Sequence, residues 1–301
     1  MHLKALSALA AGAALLSSAA LAQQAPNYDA VQIKATDLGH RTWMLEGQGG
    51  NMLVVAGDDA VILVDTQFAP LHEKIAAAIA QLSDKPVRYV VNTHLHGDHT
   101  GGNQAVIAAT GARLLAHRNA KDRIPGIDRG LGAGDVIKVG KTVELEALDT
   151  PGHTMSHVCL LSHTDTPALF CGDTLFNAGA GNCHNGGHPR ELYRTFADQL
   201  SKLSDQTRVY PGHDYIANNL RFTLDREPDN GKAQSLLGQV GNQDPEHAMV
   251  TTLAQEKEVN TFFRLHSPSV IARLREAFPD LPEHPDAETV FIKLRELRNK
   301  W

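Results

Sequence analysis

The 301-residue sequence is poor in cysteine, has no block of basic residues and shows no internal repeat. Its three cysteines are Cys159, Cys171 and Cys183, whereas a secreted protein that relied on disulfides would have an even and denser set. We predict no disulfide, because Cys159 and Cys171 lie in strand-like runs and are expected to be small buried hydrophobes. Without basic blocks, neither nucleic acid nor an anionic membrane surface is expected as a partner. The absence of a period of about 20 to 50 residues excludes a repeat architecture.

The composition is that of an ordinary globular protein, with 42% hydrophobic residues and a net charge of −6. The length fits one large domain, or one domain with a smaller cap. Residues 1–22 are different: a start containing Lys4, an apolar stretch and a final Ala-Leu-Ala form the pattern of a cleavable secretory signal. We predict cleavage after Ala22, a periplasmic or secreted mature protein, and no membrane association after cleavage. The oligomeric state stays open.

Strand-like runs and amphipathic helices alternate irregularly along residues 23–216. "AVILVDT", "PVRYVVNT" and "PALFCGDT" are typical strands, and Leu71, Ile75 and Ile79 place one apolar face on a helix. Helices do not follow every strand, so two stacked sheets flanked by helices fit better than a regular βα barrel. Residues 217–301 are mostly helical, with helix starts at Ser267-Pro268 and Pro285-Asp286, and are predicted to form a subdomain over one edge of the sandwich.

The segment "NTHLHGDHTG", residues 92–101, carries three histidines and one aspartate directly after an apolar strand. His94 and His96 are two positions apart, so an extended backbone directs both side chains to one side. Gly97 allows a turn that brings Asp98 and His99 into the same space. Imidazole and carboxylate groups suit zinc, iron or manganese, and four such groups exceed the needs of one ion with an open position. The segment therefore predicts a site for two adjacent ions.

Three further metal-type side chains follow strands and stand beside glycines. They are His153 after "DTPG", Asp173 after "ALFCG" and His213 after "RVYPG". Any one of them alone would be an ordinary turn or loop residue. Together with the first cluster, they complete the ligand number that two ions require.

These motifs, in this order, resemble the metallo-β-lactamase superfamily of metallohydrolases. The resemblance implies an αββα sandwich with two zinc ions per chain, and iron as the alternative metal. It also implies that Asp65, at the end of an early strand, orients one of the ligands. The implied ligands are His94, His96 and His153 for one ion and Asp98, His99 and His213 for the other, with Asp173 bridging.

Within that superfamily the sequence is most similar to glyoxalase II, the hydroxyacylglutathione hydrolases. "GDTLF", "YPGHDYIANNLRFTLDREPDN" and "TTLAQEKEVNTFFR" carry the similarity into the C-terminal region. The implied reaction is hydrolysis of a small-molecule thioester or ester by hydroxide held between the ions and oriented by Asp98. A thiolate leaves without a general acid, because a thiol has a pKa of only about 8.5.

The residues expected to contact the substrate match this family only in part. Tyr215 and Arg264 agree with its pattern. Asn182 stands where the family has a basic residue, and His184 where it has an aromatic one. A charge that would bind a carboxylate is therefore missing from this loop. The predicted export also argues against glutathione as the thiol of the substrate, because glutathione buffers chiefly the cytosol.

Several other functions stay open at the level of sequence. An exported lactonase would keep all seven ligands, whereas a β-lactamase of this superfamily would lack Asp173. A persulfide dioxygenase would hold a single iron through positions that match His94, His153 and Asp173. A metal-binding protein without catalysis is a third class. Metal content and hydrolysis of an activated ester would separate these functions.

Overall fold

The computed structural model describes residues 26–242 and 249–301, and the predicted export signal lies outside them. Seven strands form a first sheet in sequence order, antiparallel from the first to the fourth and parallel from the fourth to the seventh. They are β1 (Lys34–Gly39), β2 (Thr42–Glu46), β3 (Met52–Ala56), β4 (Val61–Val64), β5 (Val87–Val91), β6 (Arg113–His117) and β7 (Arg129–Leu131).

A second sheet of six strands faces the first, and a two-stranded ribbon lies between its two parallel strands in the sequence. The ribbon is β12 (Leu175–Phe176) with β13 (Gly179–Ala180). The order across the sheet is β15 (Thr251–Thr252), β14 (Arg208–Pro211), β11 (Ala168–Gly172), β10 (Val158–Ser162), β9 (Val143–Asp149) and β8 (Val136–Val139). Only β11 and β14 run parallel, so their carboxyl ends meet at one edge of the sandwich.

Nine α-helices lie in the described part of the chain, and none of them is long and apolar enough to cross a bilayer. They are α1 (His72–Leu82), α2 (Gly97–Thr100), α3 (Asn103–Thr110), α4 (Pro189–Arg194), α5 (Ile216–Arg226), α6 (Gly231–Gly241), α7 (Leu253–Val259), α8 (Pro268–Ala277) and α9 (Ala287–Arg298). Helix α8 begins after Ser267 with Pro268 in its first turn, and Asp286 caps α9 by accepting from the Thr289 N–H, as the sequence predicted.

Three apolar layers hold the sandwich together. Side chains such as Ile62 and Val91 of the first sheet interlock with Leu160 and Phe170 of the second. Helices α1 and α3 cover the outer face of the first sheet, where Ile75 is fully buried. Burial of both faces explains why these strands are continuously apolar rather than alternating. This layering confirms the expected αββα class.

The C-terminal region covers one edge of the second sheet, as the sequence predicted, and also most of that sheet's outer face, which the sequence did not indicate. Phe262 and Phe291 pack into one buried cluster with Cys159, Cys171 and Val209 from the strands. The region also adds β15 to the sheet beside β14. Because β15 has only two residues, no hydrophobic period could have indicated it. Cys159 and Cys171 are buried and unpaired, as predicted, and burial raises the pKa of Cys159 to about 12.

Candidate metal centre

Five strand ends converge at the edge of the sandwich where the predicted ligands lie. His94 follows β5, His153 follows β9, Asp173 follows β11 and His213 follows β14. Gly172 pairs with Pro211 in the parallel ladder, which sets the next residues of β11 and β14 side by side. Asp65 follows β4 immediately, and its carboxylate accepts hydrogen bonds from Thr93 and His99 of the loop after β5.

The loop after β5 begins extended and then makes a single helical turn, α2. His96 has an extended backbone, and its carbonyl oxygen accepts hydrogen bonds from the N–H groups of His99 (3.1 Å) and Thr100 (3.0 Å). Gly97 starts the turn, as the sequence predicted. The change from extended chain to helical turn lets four polar side chains of one short loop face a common space.

One triad of this space consists of His94, His96 and His153. His96 Nδ1 lies 3.1 Å from His94 Nε2 and 3.0 Å from His153 Nε2. In a tetrahedral zinc site with Zn–N bonds near 2.0–2.1 Å, ligand nitrogens are separated by about 3.3 Å. The three nitrogens therefore have the spacing of ligands around one cation.

A second triad consists of Asp98, His99 and His213. His213 Nε2 lies 3.2 Å from His99 Nε2 and 3.4 Å from Asp98 Oδ2. The histidine of α2 is fully buried, whereas the carboxylate is about one-third exposed, so this triad opens toward solvent. The facing atoms of each triad lie within 4.8 Å of one another.

Asp173 lies between the two triads. Its Oδ2 is 3.6 Å from His153 Nε2 and 3.5 Å from His213 Nε2, and its Oδ1 is 3.4 Å from His99 Nε2. Oδ1 is buried and has no hydrogen-bond partner among the described residues. A buried carboxylate oxygen without a donor is costly unless a cation neutralises it. The donor set and this oxygen together fit divalent metal ions.

The outward ring nitrogens of the histidines have fixed partners. His153 Nδ1–H donates to the Asn182 carbonyl oxygen (2.6 Å), and His96 Nε2–H donates to that of Asn185 (3.1 Å). His99 Nδ1–H donates to Asp65 Oδ2 (2.8 Å). Each of these bonds directs the opposite ring nitrogen, with its lone pair, into the cluster.

Asp65 is the most heavily engaged of these supporting groups. It is almost fully buried and also accepts from the Thr93 N–H (2.9 Å) and the Thr93 hydroxyl (2.8 Å). Its backbone has a left-handed φ of 61°, which aspartate tolerates better than most residues. Asp65 thus joins the end of β4 to both ends of the ligand-bearing loop after β5, at Thr93 and at His99.

Electrostatics separate the histidines into two kinds. Burial, with help from neighbouring histidines, lowers the pKa of His94 far below its ordinary value and that of His153 to about 4. Burial alone would also lower the pKa of His99, but the carboxylates of Asp173 and Asp65 raise it well above its ordinary value. His94 and His153 are therefore neutral imidazoles at physiological pH, the form that ligates metals.

Gly212, between β14 and His213, is required by close packing. A Cβ at this position would lie 2.3 Å from Asp173 Oδ1 and 2.9 Å from the His99 ring. Any larger residue would displace one of those groups. The glycine beside this histidine, noted in the sequence, thus serves the cluster directly.

Of the four residues predicted to contact substrate, three lie together. Asn182, His184 and Tyr215 line one cavity beside the histidine cluster. The Tyr215 ring stacks on the His213 ring with centroids 5.2 Å apart. Arg264 is not among the residues that line this cavity, and the expectation for it is corrected: its Nε and Nη2 donate to Glu227 at 2.6 and 2.7 Å. The guanidinium of Arg264 therefore forms a bidentate ion pair inside the C-terminal region and does not face the cavity.

Sequence reasoning missed several residues around the site. His157 is buried, stacks on His94, and its Nε2 accepts from the Asp173 backbone N–H (3.3 Å), so it positions that aspartate. Arg295 and Arg298 line the cavity from the C-terminal helix α9. Their pattern "RELR" is that of an ordinary solvated helix, and only the packing reveals their location.

Comparisons with known proteins agree with this architecture. A family model described as the metallo-beta-lactamase superfamily matches residues 45–213, and one described as the hydroxyacylglutathione hydrolase C-terminus matches residues 214–301. A protein of Polaromonas sp. strain JS666 named hydroxyacylglutathione hydrolase is 68% identical over 77% of this chain and 88% of its own length. One of the same name from Nitrosococcus oceani is 63% identical over the same shares.

Among solved structures, ETHE1 from Myxococcus xanthus superposes with a TM-score of 0.55 at 22% identity. The superposition covers 88% of this chain and 98% of that one. At this identity the likeness concerns the fold alone.

Proposed function

Because the chain belongs to the hydroxyacylglutathione hydrolases of the metallo-β-lactamase superfamily, we propose that it hydrolyses small thioesters at a centre of two metal ions. The observation that carries this proposal is the position of Asp173, within 3.6 Å of histidines from both triads and with one orphan oxygen. A single-ion site would not need a carboxylate between two triads.

In this proposal the two triads hold one ion each. His94, His96 and His153 would bind the first, Asp98, His99 and His213 the second, and Asp173 would touch both. Mixed imidazole and carboxylate donors suit zinc, and iron is the alternative. When bound, such ions supply acidified water as the nucleophile and positive charge opposite the carbonyl oxygen.

The chain's own residues prepare the reaction. The Asp98 carboxylate is partly exposed at the open side of the second triad, where it can accept a proton from an attacking water and orient it. The Tyr215 ring forms a wall beside His213, and its half-exposed position lets it contact the departing group. A thiol's pKa near 8.5 lets the leaving group depart as a thiolate without an acid.

The proposal is tested by metal content and turnover together. We expect elemental analysis of the native protein to give near two zinc ions per chain, and chelation to abolish hydrolysis of S-lactoylglutathione until zinc is restored. One iron per chain, with oxygen uptake on persulfides and no hydrolysis, would replace this proposal with sulfur oxidation. Turnover of lactones or β-lactams in preference to thioesters would support the two-ion centre and contradict the proposed substrate class.

Export is a further part of the proposal, supported only by the sequence of residues 1–22, which lie outside the described residues. Amino-terminal sequencing of protein from the periplasmic fraction should begin at Gln23. A full-length cytosolic protein beginning at Met1 would contradict export. It would also favour glutathione as the thiol of the substrate thioester.

A further inference from the structure

The β2–β3 loop, residues 47–51, lies against the second triad, although none of its residues belongs to that triad. The Gly50 N–H donates to the Asp98 carbonyl oxygen at 3.0 Å. A Cβ on Gly50 would lie only 2.2–2.7 Å from three atoms of the His99 ring, and a Cβ on Gly49 only 2.8 Å from the Asp98 carbonyl oxygen. The loop backbone therefore covers these two ligands at a distance that only glycine permits.

The end of the loop reaches the third member of the triad through the residues that precede it. The Asn51 N–H donates to the Gly212 carbonyl oxygen (2.6 Å), and Asn51 Nδ2 donates to that of Pro211 (3.2 Å). Gly212 directly precedes His213. In the described part of the chain, no hydrogen bond joins this loop to the first triad, which is held by carbonyl groups of the loop after β13 instead. The β2–β3 loop thus supports one triad selectively.

A buried glutamine fixes this loop from inside the fold. Gln67 is fully buried, and its Nε2 donates to the Gly50 carbonyl oxygen at 2.8 Å. Its own carbonyl oxygen accepts from the Gly102 N–H (2.9 Å), in the segment that follows α2. It stands two positions after Asp65, whose carboxylate holds the His99 ring. Gln67 therefore holds the loop and the ligand-bearing segment against each other.

The conformation of Gln67 is unfavourable in two respects. Its φ of 51° lies in the left-handed region, which glutamine adopts less readily than glycine, asparagine or aspartate. Its Oε1 is buried and has no hydrogen-bond partner among the described residues. A methionine would fill a similar volume without the orphan oxygen, so packing alone does not account for glutamine here. The bond that the side chain gains in return is the one to the β2–β3 loop.

We propose that Gln67 is a positioning residue for the second metal ion and acts through the β2–β3 loop. By holding Gly50 against the ring of His99 and the backbone of Asp98, it fixes the directions from which both side chains would approach the ion. The inference rests on the two-ion centre of the proposed function. It adds a supporting residue that contacts no ligand itself.

Metal binding tests this role without turnover. The full chain, freed of metal by chelation, is titrated with Co²⁺ against a chromophoric chelator. Gln67→Met keeps the length of the side chain but removes the donor, and it should weaken one of the two ions about tenfold and leave the other unchanged. Gln104→Met, at an exposed position of α3, should bind both ions like the wild type. Unchanged affinity for both ions in Gln67→Met, or an equal loss at both, would overturn the proposal.

Two further backgrounds identify the affected ion. In His96→Ala the remaining ion is held by the second triad, and adding Gln67→Met should weaken Co²⁺ about tenfold and alter its d–d absorption spectrum. In His213→Ala the remaining ion is held by the first triad, and Gln67→Met should change neither its affinity nor its spectrum. An effect of similar size in both backgrounds would indicate a general defect of the fold and would overturn the positioning role.

A second variant acts on the loop itself. Gly50→Ala places a methyl group against the His99 ring, so that the loop or the ring must move. Binding of the second ion should then weaken at least as much as in Gln67→Met. Gly238→Ala on α6, where a Cβ meets open space, is the matched control. Wild-type affinity for both ions in Gly50→Ala would show that contact with the loop does not position the triad, contrary to the proposal.

The outcomes separate this inference from the proposed reaction. Two Co²⁺ ions per wild-type chain with a selective effect of Gln67→Met, but no thioester hydrolysis, would refute the reaction and support the positioning role. Two ions and thioester hydrolysis without any effect of Gln67→Met would support the reaction and refute the positioning role. A single ion per wild-type chain would overturn both.

Discussion

The histidine cluster and the neighbouring cavity share a wall but are built in opposite ways. Four of the seven cluster residues come from one ten-residue loop, and the others follow strand ends. The cavity joins the loop after β13 to α9, with Arg295 bonded to Ala180 across 115 positions of sequence. The cluster thus depends on local geometry and strand topology, whereas the cavity depends on how the C-terminal region packs.

Their polar groups also differ in how completely they are paired. Around the cluster, the outward nitrogens of His96, His99 and His153 are bonded to fixed acceptors. In the cavity, two cations lack a carboxylate among the described residues. A centre that performs chemistry needs its groups held in place beforehand, and a binding pocket can leave part of its pairing to the ligand.

The largest effect is expected from His96→Ala. His96 Nδ1 lies close to the Nε2 atoms of both His94 and His153, so the substitution removes the nitrogen that lies nearest to both other ligands of the first triad. We expect one metal ion per chain to be lost and thioester hydrolysis to fall at least about 10³-fold, because metal polarisation contributes several kcal/mol. Elemental analysis and steady-state kinetics measure both.

The matched control for this variant is His266→Ala, at an exposed position of the C-terminal region. It should keep metal content and activity. Full activity in His96→Ala would show that the first triad is not a metal site.

Asp65→Asn should have the second largest effect. Asparagine fits the left-handed backbone and the volume, but its amide can accept with one oxygen only, while His99 and both Thr93 donors need acceptors. Loss of such a supporting group typically costs about 10- to 100-fold in metal affinity. Competition titration with a chromophoric chelator measures it, with the exposed Asp59→Asn as control. An unchanged affinity would mean that His99 is held by packing alone.

These two predictions concern residues that sequence alone could identify, and the reason is physical. A single histidine or aspartate at a strand end is ordinary, but several of them at strand ends that meet at one edge of a sheet, together with a dense histidine loop, have no structural use. Arg264 and Arg298 show where this reasoning stops. Both are arginines in the C-terminal region, and only the packed structure shows that Glu227 neutralises the first, whereas no carboxylate of the described residues pairs with the second.

Glu256 of α7 joins the C-terminal region to the turn of the β12–β13 ribbon and gives a prediction on stability. Its buried carboxylate accepts from the Ala178 N–H, the Thr251 hydroxyl and Asn260 Nδ2, yet burial still raises its pKa from 4.5 to about 7. Between these values the folded chain retains a proton that the unfolded chain releases. Its contribution to stability therefore falls as the pH rises from about 4.5 to about 7.

Urea unfolding of wild type and Glu256→Gln at pH 5 and pH 8 measures this dependence. The difference in unfolding free energy between the two proteins should shift in favour of the variant at pH 8, by on the order of 2 kcal/mol. Glu258→Gln, on an exposed part of α7, controls for the loss of charge on the same helix. A difference that does not change with pH would mean that Glu256 is ionised throughout this range.

The smallest effect is expected from Asn182→Lys. Residue 182 lines the cavity, so the lysine would bring a third cation close to Arg295 and Arg298. Repulsion from these two charges offsets much of the new attraction, and KM for a glutathione thioester should fall only about two- to fivefold. The exposed Asn218→Lys on α5 adds the same charge outside the cavity lining and should leave KM unchanged. A decrease above tenfold would mean that repulsion from Arg295 and Arg298 is weak and that position 182 strongly influences the affinity for a glutathione thioester.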